Sequence, residues 1–213
     1  MRTVVFILLL LSIGSNAQTP DLNQCVIDTT LKYGKTISPT YYSAVCTDFV
    51  IGVLGYFVEL DSIDTVNIRI DQPRNSLEDV YSQIENGSPE PKGVYYALIS
   101  KGIGIPIDDW TQVKRGDFVQ FWYDHSWGHC GIVDSINVQE KVMWLHSSFP
   151  STDGYGIQRF QIPDYSWFVR LTDIELPDTA KSAENTAFEN DSASKKKKHD
   201  KRNKKNKRNK SAF

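Results

Sequence analysis

The chain carries three cysteines and four histidines, and these few side chains bound the nucleophilic and metal chemistry open to it. A cysteine is a useful nucleophile only as thiolate. Its ordinary pKa of ~8.5 falls to roughly 3.5–7.5 at a helix N-terminus or beside an imidazolium. Cys46 is placed for the first of these effects. It stands one turn before Phe49, at the head of a run in which Phe49, Val50, Val53, Leu54, Phe57 and Val58 recur at helical spacing. The second effect needs a histidine from elsewhere in the chain. His199 lies in a basic tail and His125 in a loop, whereas His129 begins a strand and His146 ends one. Alternation along a strand puts neighbours on opposite faces. If His129 faces a cleft, Cys130 therefore faces away, as a small buried residue or as a partner for Cys25, and Cys46 keeps its thiol. An odd number of cysteines leaves at least one unpaired in any case.

Two plainer readings compete. A lone cysteine in an apolar helix is most often core, and a lone histidine in a strand is most often structural. Zinc is the other chemical option, with His125, His129, Cys130 and His146 as ligands. The His-x-x-x-His spacing, however, suits one face of a helix, and here it spans a Trp-Gly loop and a strand start. The expectation is a site without metal or cofactor.

The elements that must position these residues are legible in the hydrophobic period. Gln24 to Tyr33 has helical spacing, with Gly34 as a stop. The helix that starts at Cys46 is capped by Ser43 in this reading, and Gly52 and Gly55 permit close packing. Asp61 to Pro91 gives little signal beyond a short helix over Leu77 to Ile84, and Gly93 to Lys101 reads as another helix. Ile103 to Pro106 is loop or edge. From Lys114 the period changes to that of strands, at Phe118 to Trp122, His129 to Ile136, Val142 to Ser147, Gly156 to Ile162 and Trp167 to Leu171. Helices first and an antiparallel sheet of about five strands after give an α+β fold.

The ends stand apart from this core. Residues 1–17 read as a secretory signal: Arg2, an apolar run from Val4 to Ile13, then Ser15-Asn16-Ala17 for cleavage. The run is shorter than the ~20 residues a spanning helix needs. The mature protein is thus expected without a transmembrane span, and secreted, periplasmic or at the cell surface. Residues 178–213 form a polar linker and a basic tail with too little apolar content to fold. The folded part is residues 18–177. The net charge of −2 hides an asymmetry: residues 18–194 hold 12 basic and 25 acidic residues, and residues 195–213 hold 11 basic and one acidic. A tail near +10 against a body near −13 suits contact with an anionic polymer. It equally suits a solubilising tail or one folded loosely onto its own acidic domain.

Four segments together carry a family resemblance: Val45-Cys46-Thr47-Asp48-Phe49-Val50, Arg115-Gly116-Asp117-Phe118-Val119-Gln120-Phe121, Gly128-His129-Cys130-Gly131-Ile132-Val133 and Trp144-Leu145-His146-Ser147-Ser148. In this order the chain resembles the NlpC-type cell-wall cysteine peptidases and the CHAP amidases of the papain-like superfamily, over roughly residues 28–171. The usual Asp-Cys-Ser-Gly signature is absent, since Val45 precedes Cys46 and Asp48 follows Thr47. The resemblance implies a nucleophile helix packed on an antiparallel sheet, with Cys46 as nucleophile, His129 as base and His146 as the group that orients the base. It implies a tyrosine upstream of the nucleophile, for which Tyr33 and Tyr42 are the candidates. Trp127 is a candidate for a substrate-groove wall, beside Trp122 and Tyr123. The implied activity is hydrolysis of peptide or amide bonds in peptidoglycan peptides or similar substrates. The alternatives are a catalytically silent wall-binding or interaction module on the same fold, and an acyltransferase or deamidase using the same dyad.

Overall fold

A computed structural model describes residues 21–70, 79–123, 127–172 and 174. The expected signal segment, the linker with its basic tail, and His125 lie outside the described residues. The fold is α+β, with helices first and then one antiparallel sheet.

The helices are α1 (Leu22–Ile37), α2 (Cys46–Leu54), α3 (Ser62–Arg69), α4 (Val80–Glu85) and α5 (Gly93–Ser100). The strands are β1 (Gly104–Ile107), β2 (Phe118–Trp122), β3 (Gly128–Asn137), β4 (Val142–Phe149), β5 (Gly154–Gln161) and β6 (Tyr165–Leu171). They form one six-stranded sheet in the order β1-β6-β2-β3-β4-β5. The sequence suggested about five strands; the sixth is β1, the segment read as loop or edge. It is an edge strand paired only with β6, Gly104 opposite Leu171, and it contains Pro106, which an edge tolerates. The other departure is α3. Its hydrophobic signal is weak, and it is specified by its cap instead: the Asp61 carboxylate accepts from the N–H groups of Ile63 and Asp64, while Asp64 accepts from the N–H of Asp61.

The two faces of the sheet carry separate apolar clusters, as period-2 alternation requires. One face presents Phe118, Cys130, Ile132, Val169 and Leu171 to the helices, where they meet Val26 and Ile27 of α1, Phe49, Val50, Val53 and Leu54 of α2, and Val94 and Leu98 of α5. The other presents Val119, Phe121, Val133, Met143, Leu145 and Phe168. Phe49, Val50, Val53 and Leu54 of α2 are fully buried. At roughly 1.5–3 kcal/mol for each such side chain, this face fixes α2 on the sheet.

The turn before β2 is held by a buried charge. Asp117, wholly inaccessible, receives two hydrogen bonds of 2.7 Å from the Arg170 guanidinium, one of 2.8 Å from Asn23 Nδ2 and one of 2.6 Å from the Lys114 N–H. Gly116 beside it has φ +92°, and a Cβ there would strike the Asn23 carbonyl, so only glycine lets α1 approach this turn. The Arg-Gly-Asp segment is therefore architecture that joins α1, β2 and β6. Among the described residues no helix is long and apolar enough to cross a membrane.

Candidate active site

Cys46 is the first residue of α2. The residue before it, Val45, is the N-cap and has no side-chain acceptor to offer. The first-turn N–H groups that a Ser, Thr or Asp cap would satisfy are thus left open toward Cys46 and Thr47. Only the reverse half of a capping box is made, with Asp48 accepting from the Val45 N–H at 3.3 Å. Ser43 does not cap the helix. It lies one turn too early, where its hydroxyl donates to the Thr40 carbonyl within the preceding turn.

The segment leading into Cys46 is anchored to β4. The Ser148 hydroxyl donates to the Ala44 carbonyl at 2.5 Å, and the Ser38 hydroxyl lies 2.8 Å from that of Ser148. Asp153 accepts from the Tyr41 N–H at 3.2 Å, and the Tyr155 N–H donates to the Ser38 carbonyl at 3.0 Å. The nucleophile candidate thus sits between a packed helix and a loop tied down on both sides.

A cavity of about 160 Å³, open to solvent, is lined by Cys46 and Thr47 from α2, Arg69 and Ile70 from the end of α3, Gln120 and Trp122 from β2, and Gly128, His129 and Cys130 from β3. Cys46, His129 and Cys130 line this cavity together, and the ionisation of the Cys46 thiol is governed by the other two. Donation from Cys130, then the hydrogen bond and charge of His129, hold the Cys46 thiol well below its ordinary pKa, against an opposing push from burial. Cys130 responds in the other direction. Its proton is held by the hydrogen bond to Cys46 and by full burial, and its pKa rises well above the ordinary value. The surroundings thus favour the ionised form of the Cys46 thiol and the protonated form of Cys130. Alternation does put His129 and Cys130 on opposite faces of the sheet, His129 opposite Phe121 and Cys130 opposite Gln120. The expectation that Cys130 faces away from the cleft nevertheless fails, because Cys130 lines the same cavity as Cys46 and His129. Cys130 is also no partner for Cys25: among the described residues there is no disulfide.

His129 is positioned by rings. Its imidazole lies 5.0 Å from Phe149, 5.6 Å from Phe160, 5.8 Å from Phe121 and 5.9 Å from Trp127, the last nearly parallel at 8°. His129 is buried, and its Nε2 makes no hydrogen bond among the described residues. Trp127 is thus brought to the dyad, partly exposed, as a lid over the imidazole rather than as a wall of the cavity. Trp122 does line the cavity, fixed by donation from its indole N–H to the Pro91 carbonyl at 2.8 Å.

His146 is not brought to His129. The β3–β4 register sets His146 opposite Ile132, and continued toward the start of β3 it brings Phe149 beside His129. The His146 ring is instead wholly buried between Tyr155, whose hydroxyl is 3.0 Å from Nδ1, and Asp134, 3.2 Å from Nε2. Asp134 is paired in turn with Arg115 at 3.0 Å. The expected role in orienting the base is thereby corrected: these partners make His146 a brace between β3, β4 and β5. Burial lowers the His146 pKa, with Asp134 acting against it. A histidine depressed in the folded state stabilises above its unfolded pKa of ~6.5 and loses that contribution as pH falls toward the folded value. His146→Gln is therefore expected to lower the melting temperature at pH 7, to flatten its decline between pH 7 and 5, and to leave the pH profile of Cys46 alkylation unchanged. Thermal melts at several pH values and iodoacetamide kinetics check this.

The two tyrosines singled out by the sequence are elsewhere. Tyr33 is stacked on Tyr56 with ring centroids 4.6 Å apart, and Tyr42 is fully exposed. The tyrosine that senses Cys46 is Tyr41: burial and then the thiolate charge push its phenol up, so it remains a donor. The adjacent pair Tyr41-Tyr42 marked the place in the sequence, but only the turn at residues 40–43 decides which ring turns inward. Among the described residues no group of three or more His, Cys, Asp or Glu side chains is placed to hold a metal ion. No family model matches the chain, and no match is found among curated proteins or among solved structures.

Proposed function

We propose that the chain is a papain-like cysteine hydrolase that cleaves peptide or amide bonds, with peptidoglycan peptides as the substrate class. The observation that carries the reading is Cys46 at the start of α2, lining an open cavity together with His129 and with its thiol pKa lowered. A buried imidazole nitrogen without a partner costs stability, and a catalytic role for the ring is a reason to retain it.

In this reading His129 takes the Cys46 proton, and the thiolate attacks the carbonyl carbon of the scissile amide. The helix start favours the negative charge. The oxyanion is received by the Cys46 N–H, which as a first-turn donor has no intrahelical acceptor, and by the Tyr41 hydroxyl. His129 then donates its proton to the leaving amine, and water, deprotonated by the same ring, releases the acyl group. Aromatic stacking takes over from His146 the task of orienting the base. Arg69, paired with Asp48 at 2.7 Å, offers a cation on the cavity wall to an acidic substrate. The basic tail, by its charge, would hold the enzyme on anionic wall polymer.

The test is digestion of purified peptidoglycan by the full chain beside Cys46→Ala, with released fragments identified by mass. Wild type is expected to release peptide fragments and the variant none. Equal release by both would remove Cys46 from the chemistry, and no release by either would favour a binding module.

A further inference from the structure

Cys130 has no task in the mechanism above. It is fully buried in the helix-facing cluster, Cys46 packs against that cluster, and both residues line the same cavity. Neither is committed to a disulfide. Cys46 is the partly accessible member and Cys130 the inaccessible one. The Ser147 hydroxyl, donating to the Cys130 carbonyl at 2.8 Å, fixes the strand at this point. An accessible reactive sulfur with a second sulfur held behind it is the geometry of a peroxidatic and a resolving thiol.

We propose that Cys46 and Cys130 form a reversible disulfide on exposure to hydroperoxide, which switches the site off and protects the nucleophile from irreversible oxidation. This inference rests on Cys46 being the reactive thiolate of the proposed hydrolase, and is independent of which bond that hydrolase cleaves.

The chemistry balances with the peroxide as the only oxidant. The Cys46 thiolate attacks one peroxide oxygen, the O–O bond breaks, and Cys46 becomes a sulfenic acid while the other oxygen leaves as hydroxide or alkoxide and takes up a proton. Sulfur loses two electrons and the peroxide gains them. The Cys130 sulfur then attacks the Cys46 sulfur, the S–O bond breaks, and the departing hydroxide combines with the Cys130 proton to give water. The order of events follows from the electrostatics. While Cys46 is a thiolate, its charge and hydrogen bond keep Cys130 protonated. A neutral sulfenic acid removes the Cys46 part of that restraint and leaves the part due to burial, so oxidation of Cys46 eases the ionisation of Cys130. The helix start and His129, which favoured one anion at this spot, then favour the other.

The test is peroxide titration of the full chain, followed by intact mass, thiol counting and peptide mapping. Wild type is expected to lose two alkylatable thiols and about 2 Da, to yield a peptide linking Cys46 to Cys130, and to recover both thiols with dithiothreitol. Cys25→Ser should behave identically apart from its missing thiol. Cys130→Ser should instead gain about 32 or 48 Da at Cys46, without recovery. Cys46→Ser, whose cavity changes little, should leave Cys130 unmodified at the same dose. A wild-type chain that accumulates sulfinic or sulfonic Cys46 as fast as Cys130→Ser overturns the proposal, as does a disulfide that involves Cys25. A wild type that forms the Cys46–Cys130 link yet releases nothing from peptidoglycan would overturn peptidoglycan as the substrate class and leave the disulfide standing.

Discussion

His129→Phe is expected to abolish cleavage while leaving the fold at least as stable as wild type. The imidazole occupies a stack of four aromatic rings, Phe121, Trp127, Phe149 and Phe160, and its Nε2 is buried without a partner among the described residues. A phenyl ring fits such a stack and removes an unsatisfied polar atom, whose burial costs roughly 1–3 kcal/mol. The same change removes the general base and the cation that stabilises the thiolate. Losing a general base lowers turnover by about 10²- to 10⁴-fold, equivalent to about 3–5 kcal/mol of transition-state stabilisation. Most structural histidines behave in the opposite way, losing stability and keeping function. Urea unfolding together with peptidoglycan digestion separates the two cases. A destabilised variant that still digests would make His129 a packing residue.

Asp117→Ala carries the largest expected loss of stability. The carboxylate is inaccessible and accepts from Arg170, Asn23 and Lys114, so its removal takes the charged partner from a guanidinium and an amide that keep only the Gln112 and Arg115 carbonyls. Breaking such a buried pair from one side costs about 3–5 kcal/mol. Because Arg170 keeps a quarter of its side chain exposed, the lower end applies. In a domain of this size about 3 kcal/mol lowers the melting temperature by roughly 6–12 °C. A circular dichroism melt checks it, and the pH profile of Cys46 alkylation measured below the melt should be unchanged. A shift of only a degree or two would mean that water replaces Asp117 at little cost.

What the sequence disclosed, and what it hid, follows from the range of the interactions. Strand β2 was readable to the residue because Arg115-Gly116-Asp117 opens it and alternation runs through it. The helix at Cys46 was readable because four apolar residues share one face. Helix α3 was not, since its reciprocal Asp61–Asp64 cap precedes a stretch with no apolar stripe. At the site, the order of motifs singled out Cys46 and His129, which both line the cavity. The partners of that pair were not. His146 was assigned by position along β4, but register, which no single strand reveals, gives that neighbour position to Phe149. Tyr33 and Tyr42 were candidates for the upstream tyrosine that the resemblance implies, whereas Tyr41, in the turn at residues 40–43, is the one that interacts with Cys46. Cys130 was set aside by alternation, a rule that holds along the strand but does not say which residues line the cavity at its start.

The central claim is that Cys46 is a thiolate poised by His129. The rate of iodoacetamide alkylation of Cys46 in the full chain, followed by peptide mass from pH 4 to 10, tests it most directly. The prediction is a rate that stays near its plateau well below pH ~8.5, where an ordinary thiol is half ionised, and a midpoint that moves upward in His129→Phe. A wild-type midpoint near that of an ordinary thiol, unmoved by the substitution, would contradict it.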